Sequence, residues 1–306
     1  MIGFPKTISE FQTMFPDEES CHRYVFALRW PEGFRCPKCK NNAEPWKMAG
    51  GYYRCKHCRF RISHLTGTIL EASHKPLLFW FQAMWHVVNQ KNGVSALGLQ
   101  KALGLGGYKT AWAWLHKLRL AMVRPGRDRL QGLVEVDETL VGGKRSGKRG
   151  RGAEGKTLVL VAVEERKKGG IGRIRLCIVP NASGDSLIPA VKAMVEPGST
   201  VRTDGWSGYN RLASEQYKHI TVEHEEANPG EDPTPLVHRI ASLLKRWLLG
   251  THQGAVRASH LPYYLDEYTF RFNRRYFKSR GKLFYRLLEQ CIAMPRPQQV
   301  VRGARK

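Results

Sequence analysis

Four cysteines and two aspartates have the type and spacing to do chemistry. Cys36-Pro-Lys-Cys39 and Cys55-Lys-His-Cys58 are matched Cys-x-x-Cys turns with fifteen residues between them. Each turn can aim two thiolates at one ion, and two such turns complete a tetrahedral zinc shell. A redox dithiol needs only one pair, so the second pair argues for metal. Four thiolates close the shell, which makes the site structural and leaves His57 facing solvent or phosphate. Lys38 and Lys56 place a basic residue inside each turn. Cys21, Cys177 and Cys291 are scattered, and an odd total of 7 does not suit a disulfide framework.

Asp137 lies near the end of an alternating stretch, Leu133 to Val141, and Asp204 ends another, Thr200 to Asp204. Carboxylates at the ends of adjacent central strands can hold two Mg²⁺ ions about 4 Å apart. One ion then activates an attacking hydroxyl and the other stabilises a leaving 3′ oxygen. Taken singly, each aspartate reads as a turn residue, Asp204-Gly205 above all. Their paired placement and the charge of the chain favour the metal. Lys and Arg number 50 against 26 Asp and Glu, for a formal charge of +24. That excess points to a polyanion, and nucleic acid is the usual one. No uninterrupted apolar run is long enough for a membrane span, and no lipid-anchor motif or secretory leader is present, so a cytoplasmic, nucleoid-associated location is expected.

The elements that must position these residues can be read from the sequence. Trp46, Tyr52 and Tyr53 suit a short hairpin between the cysteine pairs. Pro76 to Asn89 is an apolar-aromatic run that opens with Pro as a first helical residue. Ser95 is a candidate N-cap for a helix running to Leu103. Gly104, Gly106 and Gly107 break it, and Tyr108 to Arg119 resumes helical spacing with Ala111, Trp114, Leu115 and Leu118 on one face. Lys109, Thr110, Ala113, His116 and Lys117 are expected mostly off that face. Lys109 and Lys117 are candidate phosphate contacts of a helix-turn-helix-like module; a small helical bundle is the plainer reading. Beyond Gly132, Leu133–Val141, Thr157–Val163 and Arg173–Val179 predict an antiparallel meander. A helix over Asp185–Val195 and a fourth strand follow. Three strands, a helix, a strand and further helices make the order of an RNase H-like α/β fold, in which the first and fourth strands are neighbours.

At this point a family resemblance emerges. Val134-Glu-Val-Asp137-Glu-Thr-Leu-Val-Gly-Gly-Lys144 resembles the first-aspartate motif of DDE-type insertion-sequence transposases, closest to the ISXO-like group with an N-terminal zinc ribbon. Arg202-Thr-Asp204-Gly-Trp-Ser-Gly-Tyr209 is similar to its second motif. Val237-His238-Arg-Ile-Ala-Ser-Leu-Leu-Lys245-Arg246 resembles its third-ligand helix, and Leu265 to Arg275 follows the same pattern. The resemblance implies that His238, 34 residues after Asp204, stands where most such enzymes carry glutamate. Histidine or asparagine occurs there within the group, so activity is not excluded. Imidazole in that place favours Mn²⁺ over Mg²⁺ more than glutamate does. Contact with the scissile phosphate or proton transfer is the other role open to it, and an ordinary boundary histidine is the plainer reading. Glu223, Glu225 and Glu226 are substitute third ligands. Val237, Ile240, Leu244 and Trp247 form the expected buried stripe. Lys245 returns to within about 20° of the face of His238 and carries, with Arg246, a phosphate-binding role. Glu135 and Glu138 are expected to be structural.

The glycine-rich run from Gly142 to Lys156 carries six basic residues and one acid. Lys144, Arg145, Lys148 and Arg149 are its candidate phosphate ligands. The expected organisation is a zinc ribbon with a helical extension at 1–66 and a helix-turn-helix-like module at 67–128. An RNase H-like catalytic domain at 129–290 and a basic tail at 291–306 complete the chain. The implied activity is transposition: binding of the element ends, metal-dependent DNA cleavage and strand transfer. Structural Zn²⁺ and catalytic Mg²⁺ or Mn²⁺ are the cofactors. Double-stranded DNA, at the ends and the target, is the partner of a homo-oligomer, with no membrane and no small-molecule substrate. A DNA-binding regulator without catalysis and a metal-dependent nuclease without strand transfer are the competing readings; only His238 favours the former.

Overall fold

Alternation along Leu133–Val141 organises the second half of the chain. Val134 and Val136 face one apolar core, while Glu135, Asp137, Thr139 and Val141 face the other side. The computed structural model describes residues 3–124, 126–142, 155–167, 169–222, 232, 234–253 and 256–295. Helices α1 (Ile8–Met14) and α2 (Glu18–Arg29) precede strands β1 (Trp46–Met48), β2 (Tyr52–Arg54) and β3 (Arg61–Ser63). Helices α3 (Leu77–Asn89), α4 (Ala96–Leu103) and α5 (Tyr108–Ala121) follow. Next come β4 (Leu133–Val141), β5 (Thr157–Glu165), β6 (Ile171–Ile178), α6 (Gly184–Met194) and β7 (Thr200–Thr203). A 3₁₀ stretch, Ser207–Glu215, leads to β8 (Lys218–Thr221), then α7 (Pro235–His252), α8 (Leu261–Asn273) and α9 (Arg280–Ala293). No helix among the described residues is long and apolar enough to cross a membrane.

Strands β4 to β8 form one sheet in the order β6-β5-β4-β7-β8. The β6-β5-β4 meander is antiparallel, and β7 and β8 join it in parallel. This is the RNase H-like α/β arrangement that the element order predicts. Strand β5 is apolar on both faces because both are covered. Leu160 and Ala162 pack with α6, while Val159, Val161 and Val163 pack with α7 and α8. The outer edge of β6 is closed by a side chain: the Asn273 amide accepts from the Ile174 N–H (2.7 Å) and donates to its carbonyl (3.0 Å). That pairing substitutes for a further strand.

The chain divides into two compact units, one within Met1–Arg124 and Phe277–Lys306 and the other within Pro125–Tyr276. The sequence boundary at 290 therefore falls inside α9, a helix that packs on α2, α3 and α5 of the first unit. Its Phe284 meets the rings of Phe11, Phe15, Phe81 and Trp85 at centroid distances of 5.5, 5.8, 5.4 and 6.0 Å. The zinc ribbon and the helical module, read from sequence as separate at 1–66 and 67–128, lie in that same unit. Ser95 caps α4 by accepting from the Gly98 N–H at 3.0 Å, and Gly104 ends it in the left-handed region (φ 59°). Pro76 sits one place earlier than expected, as the N-cap of α3.

One expectation for α5 needs correction. Ala111, Trp114, Leu115 and Leu118 are buried, and Trp114 stacks on Trp80 at 3.9 Å. His116 is buried too, not off the packed face, as is Arg119. Helix α9 packs on α5 from the far end of the sequence, so α5 is enclosed on more sides than a two-helix motif predicts. Truncating Phe284→Ala should cost about 3–5 kcal/mol in urea unfolding. A loss below about 1 kcal/mol would remove α9 from that core.

Candidate active site and zinc site

Parallel pairing of β4 with β7 sets two carboxylates side by side. Leu133 pairs with Thr200, Val134 with Val201 and Glu135 with Arg202, each pair 67 residues apart. Asp137 and Asp204 have the same offset two steps further on, just where β7 stops at Thr203 while β4 continues. Adjacent strands run about 4.8 Å apart, so residues at a shared offset are neighbours. One pleat repeat earlier, and so on the same face, Arg202 contacts Glu135 at 3.2 Å. Asp204 also accepts the Trp206 N–H at 3.2 Å, so it turns the chain as well as joining the cluster.

Helix α7 supplies the imidazole. Its first turn is held by Glu135, a side chain only 1% exposed, which accepts the N–H groups of Leu236 (2.8 Å) and Val237 (3.2 Å). A carboxylate at a helix N-terminus satisfies orphan donors and meets the positive end of the dipole. With the helix so anchored, His238 projects toward the strand. Its Nε2 lies 3.2 Å from Asp137 Oδ2 and its Nδ1 2.6 Å from Asp232 Oδ2. Val237, Ile240 and Leu244 are buried as the helical stripe requires; Trp247 is half-buried.

Electrostatics mark the same spot. Burial, then the charges of Glu138 and Asp204, push the Asp137 carboxyl up to about 6 from its ordinary 3.8. Burial alone would lower the pKa of His238, but the hydrogen bond and charge of Asp232, with Asp137, outweigh it and the net shift is upward. Glu138 points to the opposite side of β4, where Tyr209 Oη donates to it at 2.7 Å. Burial first, then that partner, raise the Tyr209 pKa well above the ordinary value.

The second cluster is the predicted zinc shell. The sulfurs of Cys36, Cys39, Cys55 and Cys58 all lie within 4.8 Å of one another. Cys36–Cys58 and Cys39–Cys55 are 3.6 and 3.7 Å apart. A tetrahedron with Zn–S bonds of 2.3 Å has edges of about 3.8 Å, so the donors fit zinc. Both turns close alike: Lys40 (φ 62°) and Arg59 (φ 60°) each follow the second cysteine in the left-handed region. Among the described residues this is the one group of three or more potential ligands so close together. Asp137 instead meets His238 as a pair and shares with Asp204 the offset of β4 and β7. The sheet β1-β2-β3 turns one face outward, with Trp46, Met48 and Tyr52 exposed by 42, 39 and 39%. Arg59 lies over the Trp46 ring at 5.2 Å and Arg61 over Tyr52 at 4.1 Å. Rings that shelve guanidinium groups present them, already ordered, to an anionic partner.

Comparison with known proteins decides the family. Residues 129–273 match the ISXO2-like transposase domain, and residues 16–61 match the transposase zinc-ribbon domain. The chain belongs to the ISXO2-like transposase family. It is similar to a protein of the transposable element ISH50 of Halobacterium salinarum, 29% identical across 88% of this chain and 94% of that one. It is also similar to a transposase-like protein of Haemophilus influenzae, 24% identical across 39% of this chain and 97% of that one. A chain in the crystal structure of a pre-cleavage Mos1 transpososome is 11% identical across 70% of this chain and 78% of its own length. Its TM-score is 0.26, too distant to bear on the site.

Within this ISXO2-like chain, the other expected DNA contacts fare unevenly. Lys109 is exposed in the first turn of α5, whereas Lys117 lies over the Trp80 ring at 5.8 Å. Lys245 and Arg246 are on the exposed side of α7. Partial burial and the nearby charge of Lys156 lower the pKa of Lys245, so two cations gather where α7 passes the start of β5. Lys144, Arg145, Lys148 and Arg149, and the substitute acids Glu223, Glu225 and Glu226, lie outside the described residues. Sequence reasoning missed Asp232 and the anchoring role of Glu135. A weak signal for both existed, since acids near a helix start are natural partners for its free N–H groups.

Two outcomes follow. Chelating zinc should unfold roughly residues 20–65, read as a selective loss of hydrogen-exchange protection. Because the folded pKa of Asp137 is raised, its stabilising contribution is present below about pH 4 and lost as pH rises through about 6. The difference is on the order of 3 kcal/mol. In zinc-loaded protein without other divalent ions, wild type should lose stability relative to Asp137→Asn between pH 4 and 8. Parallel urea-unfolding curves for the two would contradict the raised value.

Proposed function

We propose that this transposase-family chain binds the ends of an insertion sequence, cuts the DNA there and joins the freed strand to a target. The observation that carries this reading is the shared 67-residue offset of Asp137 and Asp204 with His238 added at 3.2 Å. The donor set suits divalent cations. Carboxylate oxygens favour Mg²⁺, and one imidazole nitrogen shifts the preference toward Mn²⁺. Burial first, then the charges of Glu138 and Asp204, raise the pKa of Asp137, and a bound cation would oppose both effects. Asp137 is the member common to both pairs, so it would be shared between two ions, one completed by Asp204 and the other by His238. Bound there, such ions activate a hydroxyl and neutralise charge on a leaving oxygen.

The chain's own residues hold and orient. Water attacks phosphorus at the element end, the P–O3′ bond breaks, and the 3′ oxygen leaves as a hydroxyl. That hydroxyl then attacks a target phosphorus and displaces the target's 3′ oxygen, without a covalent protein–DNA link. Lys245 and Lys156 bear on the phosphates beside the site. Lys109 on α5, in a helix-turn-helix role, and the shelved arginines Arg59 and Arg61 bind the duplex backbone. Two DNA ends and one target call for at least two copies of the chain.

Asp137→Ala and Asp204→Ala should each lower end cleavage at least about a thousandfold, with end binding within about threefold of wild type. Cleavage at normal rate in either variant would end the metal-site reading. Binding by wild type without cleavage in Mg²⁺ or Mn²⁺ would indicate a regulator, and cut but never joined products a nuclease.

A further inference from the structure

We propose that Asp232 is a positioning residue, holding the His238 ring through Nδ1 so that Nε2 faces Asp137 and the two share one divalent cation. This rests on the metal-site reading above and adds to it a residue outside the three-ligand set. Both oxygens of Asp232 are used. Oδ2 lies 2.6 Å from His238 Nδ1, and Oδ1 accepts the Thr234 N–H at 3.0 Å. The Thr234 carbonyl in turn accepts the His238 N–H at 3.1 Å. Asp232 is thus tied to His238 through the backbone of the first helical turn as well as through the ring.

Such a tie matters because the His238 side chain is 47% exposed, and among the described residues its ring nitrogens meet Asp232 and Asp137. An imidazole that donates from one nitrogen to a carboxylate presents the lone pair of the other nitrogen to metal, in a fixed direction. The direction here is toward Asp137, at an Nε2–Oδ2 separation of 3.2 Å. Adjacent ligands on an octahedral ion with bonds of about 2.1 Å are about 3.0 Å apart, so the two atoms already have the spacing of one shared ion. Glu135 sets where the helix begins; Asp232 sets where the ring points.

The test uses the full-length, zinc-loaded chain with Mn²⁺ as probe and no DNA. Pulsed electron paramagnetic resonance should detect imidazole nitrogen coupled to Mn²⁺ in wild type, and His238→Gln should abolish that coupling. If wild type lacks it, the His238 metal reading itself fails, a result distinct from failure of the Asp232 proposal. Asp232→Ala should lose the nitrogen coupling and weaken Mn²⁺ binding about ten- to a hundredfold. Asp232→Ser keeps an acceptor for the Thr234 N–H but cannot reach the ring, so it should show the same loss. Wild-type coupling and affinity in Asp232→Ala would overturn the proposal. Restoration of both in Asp232→Ser would also overturn it, by reducing Asp232 to a helix cap.

Discussion

The fixed register between β4 and β7 is the constraint on which the candidate site depends. Parallel strands bring together residues at one constant offset, and here that offset is 67 at every hydrogen-bonded pair. A slip of one residue would carry Glu135 and Asp137 to the side of Val134 and Val136. The apolar residues forbid it. Val134, Val136 and Val201 are fully buried against α6, whereas Glu135 and Asp137 stand on the opposite face of β4. The core on one side of the sheet therefore decides the chemistry on the other.

Three acids close together on β4 have been given three different partners. Glu135 takes two backbone N–H groups and an arginine, Asp137 faces an imidazole, and Glu138 accepts from a buried tyrosine. Burial, then the charges of Glu138 and Asp204, raise the pKa of Asp137, whereas burial alone raises that of Glu135 against its hydrogen bonds and Arg202. Their partners distinguish these acids more clearly than burial does, since Glu135 is more deeply buried than Asp137.

Much of this was legible in the sequence. The bounds of β4 match the alternation from Leu133 to Val141, and the four cysteines converge as their spacing requires. Local patterns carry such features, because pleat, helical turn and knuckle each span few residues. Asp232 was not legible: its partner is six residues away, across a helix start whose geometry no periodicity encodes. Burial of His116 and Arg119 was hidden for a different reason. The helix that packs on α5, α9, lies more than 150 residues further along. Strand β8, four residues long and mostly exposed, has too little alternation to stand out.

The return of α9 gives the two units different histories during synthesis. The second unit ends at Tyr276 and has all its strands and helices once that point has been made. The first begins earlier yet lacks one wall of its aromatic core until Phe284 to Cys291 arrive. A chain broken off before α9 would thus carry an intact sheet with its acids in register and an unfinished first unit. The N-terminal unit therefore waits, half-assembled, for a helix made long after its other elements.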